Sequence, residues 1–482
     1  MSHVGALLSP VIVARDEHIA LARRRIAEVR AGHGQLLLLS GEAGIGKSRL
    51  VREGTKGVPD ESHGGAGDGV QRRLVLVGEC LDIGVAGLPY LPIAAALRGL
   101  ARAVPADRLE QLLGPGRADL AAIVPELATD GIAPPVDATG GVGLPSGLAQ
   151  ARLFERILGL FGALSAATPV VLVIEDVHWI DRATRDLLTF LSRNLTTERL
   201  AVVLTCRIDD LPRGHPILAW LAELERTPST VVLELERLDR DAVRRQLTLI
   251  AGDAPATGVL DRIWRRSEGN PLLVEELFAA PDTEGPRSVV EVLLARVMRL
   301  DKSARAIVDA AAIAGRPVDE RLLADVLEVE EPEIDDGLRA ALDNRVLEHE
   351  PATGYRFRHE LLREVVEAEL LPGARRRLHE RFAHNLEARP ELADTSPVGA
   401  AAELAHHYAE AGLVAEAYTH LVRAADASEA VHAYADAHRD LERAMALEPR
   451  LPPADGTPGV IVASAPAVAD ALAALLQRAG VL

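Results

Sequence analysis

The 482-residue sequence predicts a multidomain protein: an α/β fold on a parallel core sheet of five strands, followed by a mostly helical remainder. Three observations carry this. Up to about Leu238, short apolar runs alternate with helix-compatible stretches, as in strand–helix–strand units. One strand-to-helix junction reads Gly41-Glu42-Ala43-Gly44-Ile45-Gly46-Lys47-Ser48, the spacing of a phosphate-binding loop. Beyond Leu238 the strand signals thin out and helical spacing takes over.

The elements follow in order. Ala14-Arg15-Asp16-Glu17 opens a helix running to about Arg30. Leu36 to Leu39, too short and too apolar for a surface helix, is the first strand. The glycine loop and a helix from Ser48 to Glu53 come next. Ser62 to Gly69 is glycine-rich and polar and reads as an exposed loop. Leu74 to Val77 is the second strand, and a helix runs from Ile93 to about Val104. Ala128 to Gly147 is rich in Gly and Pro without periodicity and is expected to be a long mobile loop.

Ile157 to Ile174 carries no charge, but Ser165, Thr168 and Pro169 interrupt it. It reads as a helix end, a turn and a buried strand from Val170 to Ile174, not as a membrane span. Helix resumes near Ala183; Leu200 to Leu204 and Val231 to Leu233 are the last two strands. Residues 239–279 are helical, broken at Gly252 and at Gly269-Asn270-Pro271. Residues 288–370 hold short helices and a hairpin around 353–358. Arg375 to Leu447 is Ala-, Leu- and Glu-rich with helical spacing, and its small residues suit close helix contacts of the tetratricopeptide type. Residues 451–458 are Pro- and Gly-rich, and 459–482 form one apolar, Ala-rich segment.

Composition bounds the function. With 53 Lys+Arg against 71 Asp+Glu the net charge is −18, which argues against a general nucleic-acid coat. Arg72-Arg73 and Arg375-Arg376-Arg377 read as solvated faces. Aromatics at 3% are too few for base-stacking platforms. Cys80 and Cys206 show no metal or disulfide spacing, which suits a reducing cytoplasm, and the N-terminus lacks a signal-peptide pattern. The 15 histidines show no metal-ligand spacing.

The chemistry centres on the loop. Its glycines let main-chain N–H groups turn toward an anion, and the helix start adds partial positive charge. Lys47 would reach the terminal phosphates of ATP, and the Ser48 hydroxyl would sit on Mg²⁺. Glu175-Asp176, at the end of the third strand, supplies the acids such a site needs. Glu175 would hold Mg²⁺ through water, and the neighbouring acid would orient or deprotonate the attacking water. A plain acidic strand end is the alternative. Arg207, after the fourth strand, could sense the terminal phosphate; a structural salt bridge is its alternative. His178 and Trp179 are expected to support the acidic strand end, with His178 not acting as a base.

Beyond the loop, several stretches resemble the signal-transduction ATPases with numerous domains (STAND), a branch of the AAA+-like P-loop proteins with an Orc1-like ATPase domain. The nearest resemblance is to the large bacterial regulators related to the maltose regulator, many of which end in a LuxR-type helix-turn-helix. The stretches are Ala14 to Glu17, Gly41 to Ser48, Val170 to Asp181, Leu204 to Arg207, Ser267 to Pro271 with Glu275-Glu276-Leu277, and Tyr355 to Arg363. The resemblance implies a P-loop domain over residues 1–238, a helical lid over 239–296, a winged-helix-like domain over 297–372, and a TPR-like helical region over 373–482.

It also implies roles. Arg15 resembles an arginine near the nucleotide, Pro271 a lid proline packed on adenine, and His359 a histidine that contacts the ADP β-phosphate. A buried or capping His359 is the alternative. Arg49, directly after the loop, belongs to the same nucleotide-binding set. Two departures stand out: Glu175 occupies a place where the family often has Asp, and Ala14 replaces a usual glycine, restricting that turn. Nothing after Leu447 reads as a DNA-binding module, so both a naturally short relative and a piece of a longer gene product stay open.

The expected function is an ATP/ADP conformational switch with slow hydrolysis, in transcriptional regulation or signal transduction. The helical C-terminal region would meet a protein partner. A small-molecule inducer and a homo-oligomer are further expectations, and direct DNA binding by this chain is not expected. The alternatives are a nucleotide-bound scaffold without turnover and the ATPase part of an adenylyl-cyclase-like regulator, although no cyclase catalytic segment is present. A small-molecule kinase would share the loop, but nothing resembles an acceptor pocket.

Overall fold

In a computed structural model, described over residues 9–56, 74–81, 88–128, 146–195, 198–208, 211–212, 214–279, 294–350, 354–393, 396–451 and 473, the five apolar runs form one parallel sheet. The strands are β1 (Gln35–Ser40), β2 (Leu74–Glu79), β3 (Val170–Glu175), β4 (Leu200–Cys206) and β5 (Thr230–Glu234), in the order β2-β3-β4-β1-β5. The expected loop Ser62–Gly69, residues 129–145 of the loop expected over Ala128–Gly147, the pair Arg72-Arg73, Thr353, and residues 452–472 and 474–482 lie outside the described residues; the last two residues of the second loop, Ser146 and Gly147, instead open a helix.

The central strands β1, β3 and β4 are apolar because both of their faces are covered. Leu36 and Leu38 face one core with Leu172, Ile174, Val202 and Leu204, while Leu37 and Leu39 face the other with Val171, Val173, Ala201 and Val203. That alternation is the two-residue period of a strand, here apolar on both sides. The outer strands depart from the expectation of full burial: Val77 of β2 is 52% exposed and Val232 of β5 is 43% exposed, because each strand is an edge.

The helices of this half are α1 (Asp16–Glu28), α2 (Lys47–Thr55), α3 (Leu91–Ala103), α4 (Ala106–Leu113), α5 (Arg117–Ile123), α6 (Ser146–Ala167), α7 (Arg182–Asn194) and α8 (Pro216–Glu225). The sequence reading did not anticipate α4 and α5. Gly114-Pro115-Gly116 between them, a pair of breakers around a proline, hides their short periodicity. The 157–174 stretch divides as expected into the end of α6 and β3. No helix among the described residues is long and apolar enough to cross a membrane.

Next come α9 (Arg240–Ala251), α10 (Thr257–Ser267) and α11 (Pro271–Ala279), broken at Gly252 and Gly269. Three helices, α12 (Lys302–Ala314), α13 (Glu320–Leu327) and α14 (Glu331–Asp343), share one core with the antiparallel hairpin β6 (Leu347–Glu350) and β7 (Gly354–Phe357) and with α15 (Glu360–Glu369). The long helical C-terminal region is α16 (Pro372–Ala388), α17 (Pro397–Ala411), α18 (Val414–Ala430) and α19 (Tyr434–Leu447). Each packs on the next through small buried residues such as Ala405, Ala417, Ala424 and Ala425.

This region folds back onto the sheet domain. Val398, Val431 and Ala433 join the core that lies over β3 and β4. Asp436 of α19 accepts a hydrogen bond from the Ala183 N–H at 3.0 Å, capping α7 from outside. Asp181 caps the same helix from within, accepting from the Thr184 N–H at 2.7 Å. Burial raises both carboxyls, and the charge of Asp436 adds to the rise of Asp181, which is pushed up to about 7.

Candidate functional site

Because β4 lies between β1 and β3, the carboxyl ends of β1 and β3 flank a crevice, the usual ligand position in an open parallel sheet. The glycine loop leaves β1 and enters α2, whose first residue is Lys47. Gly44 serves two needs there. Its φ of +75° is a left-handed conformation, and a Cβ would lie 2.8 Å from the Leu272 Cβ. Lys47 is buried, and its Nζ donates to the carbonyls of Gly41 (2.8 Å) and Glu42 (2.9 Å), holding the ammonium over the loop.

Across the crevice, Ser48 Oγ donates to Glu175 Oε2 at 2.7 Å. These two residues are 127 positions apart in sequence. Asp176 follows in a left-handed turn, φ +54°, fixed by its N–H donating to Thr205 Oγ1 at 2.9 Å. A non-glycine residue there stores about 1–3 kcal/mol of strain, which proteins place at functional positions. Asp176 Oδ1 lies 3.7 Å from Arg207 Nε and 3.8 Å from His178 Nδ1. Burial first, then the charges of Arg207 and Lys47, push the His178 imidazole down to about 3. That makes it a poor base at neutral pH, as expected.

Three carboxyls crowd this end of the sheet. Glu79 closes β2 in register with Glu175. Burial pushes Glu79 up to about 7, Arg356 partly offsets it, and Glu175, Glu360 and Asp176 add to it. Glu175 is also raised, by burial first, against the Ser48 hydrogen bond. A divalent cation would relieve that repulsion, and hydroxyl and carboxylate oxygens are the donors Mg²⁺ takes. Ser48 and Glu175 therefore fit Mg²⁺.

Arg207, 6% exposed, is held by Glu364 of α15 at 2.8 Å. In this arrangement it forms the salt bridge weighed as its alternative. Arg356 of β7 reaches Glu79 at 3.5 Å, a second link between the hairpin region and the acids.

From the other side, Asn270 Nδ2 donates to the Ala43 carbonyl at 2.9 Å, and the Leu272 N–H to the Gly44 carbonyl at 3.3 Å. Pro271, between them, opens α11, and its carbonyl accepts from Gln246 Nε2. Arg237 Nε bridges to Glu42 at 2.9 Å, at the exposed rim. Arg15 is buried and donates to the Glu236 carbonyl, beyond the end of β5. Arg49 turns to Glu275 of α11 at 3.8 Å and to the Ser9 carbonyl. His359 is the N-cap residue of α15 but makes no side-chain cap bond. Burial, with Arg358 and Arg296, pushes it down to about 4.

Folding thus brings the loop, Glu175 and Asp176 together, with Asn270 and Pro271 against the loop. Glu79, Asn270, Arg356 and Glu364 were not singled out from sequence as functional. Asn270 and Arg356 lie inside stretches that carry the resemblance, and Glu79 is an acid two residues past the expected strand Leu74 to Val77; Glu364 had no local signal.

Residues 11–204 match the AAA ATPase domain family. An uncharacterized protein of Rhizobium meliloti (strain 1021) is 29% identical over 459 residues, covering 87% of this chain; the chain spans 41% of that relative's length. Among solved structures, a STAND protein with a tetratricopeptide repeat sensor from Pyrococcus horikoshii aligns at 13% identity over 93% of this chain and 67% of its own, with a TM-score of 0.46. The Aeropyrum pernix Orc1 protein, solved in complex with DNA, aligns at 13% identity over 76% of this chain and 94% of its own, with a TM-score of 0.32. The phosphate loop, the acid strand end beside it and the matched segment place residues 11–204 in the AAA ATPase domain family.

Proposed function

We propose that the chain is an ATP-binding signalling ATPase of the STAND type, with slow hydrolysis and an ATP/ADP-dependent arrangement, acting in the cytoplasm in transcriptional regulation or signal transduction. The observation that carries this reading is the 2.7 Å contact between Ser48 Oγ and Glu175 Oε2, which joins loop and acid in one site. Lys47 and the main-chain N–H groups of Gly41 to Ser48 grip the phosphates. Ser48 and Glu175 hold Mg²⁺, which when bound neutralises charge on the phosphate oxygens. Asp176 orients and deprotonates the attacking water. Arg207 meets the terminal phosphate once it leaves Glu364.

The division of labour follows the same reading. Residues 1–238 bind nucleotide, and 239–296 act as a lid, with Pro271 on the adenine and Arg15 nearby. Residues 297–372 are a winged-helix-like switch unit with His359 toward the β-phosphate, and 373–482 present a surface to a protein partner. Differential contacts with the terminal phosphate would bias one arrangement over the other. A small-molecule inducer and self-association belong to the same proposal.

The test is phosphate release with and without Asp176→Asn. The switch reading expects slow but measurable release that falls by roughly 10²-fold or more in the variant, as loss of a water-orienting base does. Equal release with nucleotide binding intact favours a scaffold without turnover. That second reading has one observation behind it: Arg207 is engaged by Glu364 and Asp176.

A further inference from the structure

Three histidines that the phosphate site does not use meet where α16 packs on α17. His379 lies on α16, and His406 and His407 lie on α17. One ring nitrogen of each lies within 4.8 Å of the others. His379 and His407 are buried, while His406 is half-buried. The spacing in sequence carries no ligand motif; the helix pairing alone creates the cluster.

The Nδ1 atoms of His379 and His407 are 2.9 Å apart, so one ring donates to the other. A neutral imidazole has one N–H and one lone pair. Whichever ring donates, its own Nε2 keeps an unused lone pair, and the Nε2 of the acceptor ring keeps an unused N–H. Both Nε2 atoms are buried without a hydrogen-bond partner. A cation at the Nδ1 contact would leave both Nε2 atoms as N–H groups, so the site is built on the Nδ1 edge of these two rings and not on their Nε2 atoms. Phe382 stacks on His407 with ring centroids 5.2 Å apart, fixing that ring's plane.

Burial keeps all three rings neutral, the form that ligates metals. His379 is pushed down to about 3, His406 to about 4, and His407 well below its ordinary value. The cations around them are already paired. Arg375 meets Glu367 and Glu410, Arg363 meets Glu360 and Glu367, Arg316 meets Glu403, and Arg443 meets Asp440.

We propose that His379, His406 and His407 form a site for a borderline divalent transition metal, Zn²⁺ foremost, with three imidazole ligands and an open fourth position. Imidazole ligands suit Zn²⁺, Cu²⁺ and Ni²⁺, and a three-histidine set with a free position suits tetrahedral Zn²⁺. Two Zn–N bonds of about 2.0–2.1 Å at a tetrahedral angle place their nitrogens roughly 3.3 Å apart. The Nδ1 pair opens slightly to reach that spacing, and the wider pairs close by ring rotation. The metal takes the place of the shared proton, which moves to Nε2 of the same ring, so no proton is released. The bound ion clips α16 to α17.

The test uses the full chain, stripped of metal and nucleotide, with Zn²⁺ titrated against a chromophoric chelator and Co²⁺ as an absorption probe of geometry. The expected result is one Zn²⁺ per chain, a tetrahedral Co²⁺ spectrum, and at least a roughly 10-fold loss of affinity in both His406→Ala and His407→Gln. The half-buried His406 keeps the test decisive if the His407 variant fails to fold, as circular dichroism would reveal. Equal affinity in folded His406→Ala, an octahedral Co²⁺ spectrum or no Zn²⁺ binding would overturn the proposal.

Discussion

Glu364→Gln probes the link between the acids of the sheet and α15. The Arg207 side chain is 8% exposed and the Glu364 side chain 27% exposed, with nitrogen and oxygen 2.8 Å apart. The other carboxylate on Arg207, Asp176, is 3.7 Å away and cannot replace a direct bond. A hydrogen bond between charged groups contributes about 1.5–3 kcal/mol. Glutamine still accepts, so only the charge-dependent part is lost, about 1–2 kcal/mol. Burial raises the Glu364 carboxyl, which weakens its ionised form and favours the lower figure. A loss of 1–2 kcal/mol shifts a docked-to-undocked equilibrium by roughly 5- to 30-fold. Bound ADP should leave faster by up to that factor, and phosphate release at saturating ATP and Mg²⁺ should rise. Stopped-flow release of a fluorescent ADP analogue measures the first and a coupled phosphate assay the second. Unchanged ADP release in both Glu364→Gln and Arg207→Ala would refute the idea that this contact governs the site.

Two further outcomes follow from the fold. Ala14 sits at φ +53°, a conformation that costs an L-residue about 1–2 kcal/mol, while glycine loses only part of that in chain entropy. Ala14→Gly should therefore raise the unfolding free energy by roughly 0.5–1 kcal/mol in a denaturant titration; a fall would refute the strain. The Asp181–Asp436 pair is buried with both carboxyls raised, facing Asp186, Asp440 and the Arg439 guanidinium. Docked, the pair keeps a proton that the separated carboxyls would release near 3.8. Its contribution is thus fully present at acid pH and is lost as pH rises toward about 7. Thermal midpoints across this window should fall less steeply in Asp436→Asn than in the parent chain, and parallel slopes would refute the linkage.

The sheet was legible because its central strands are covered on both faces and so read as unbroken apolar runs. The exposure of Val75 and Val77 was not, because nothing in a strand's own sequence says that it will be an edge. The loop with Ser48 and Glu175 was legible because phosphate chemistry fixes the residue types at both ends of the contact. The strain at Ala14 was also readable, since a glycine-favouring turn was expected there. The partner of Arg207 was not: Glu364 lies 157 positions away, and its approach depends on how α15 docks. The three histidines show the same limit, since helix pairing and not spacing gathers them.

The central claim is that main-chain amides and the Lys47 ammonium hold a triphosphate beside Glu175. It is tested most directly by equilibrium binding of ATP with Mg²⁺ to the full chain, with and without Lys47→Ala. One ATP per parent chain is predicted, with affinity falling by roughly 10- to 150-fold in a folded variant, as losing a charge-assisted bond of about 1.5–3 kcal/mol requires. Equal affinity in the two proteins, or no ATP binding by the parent chain, would contradict it.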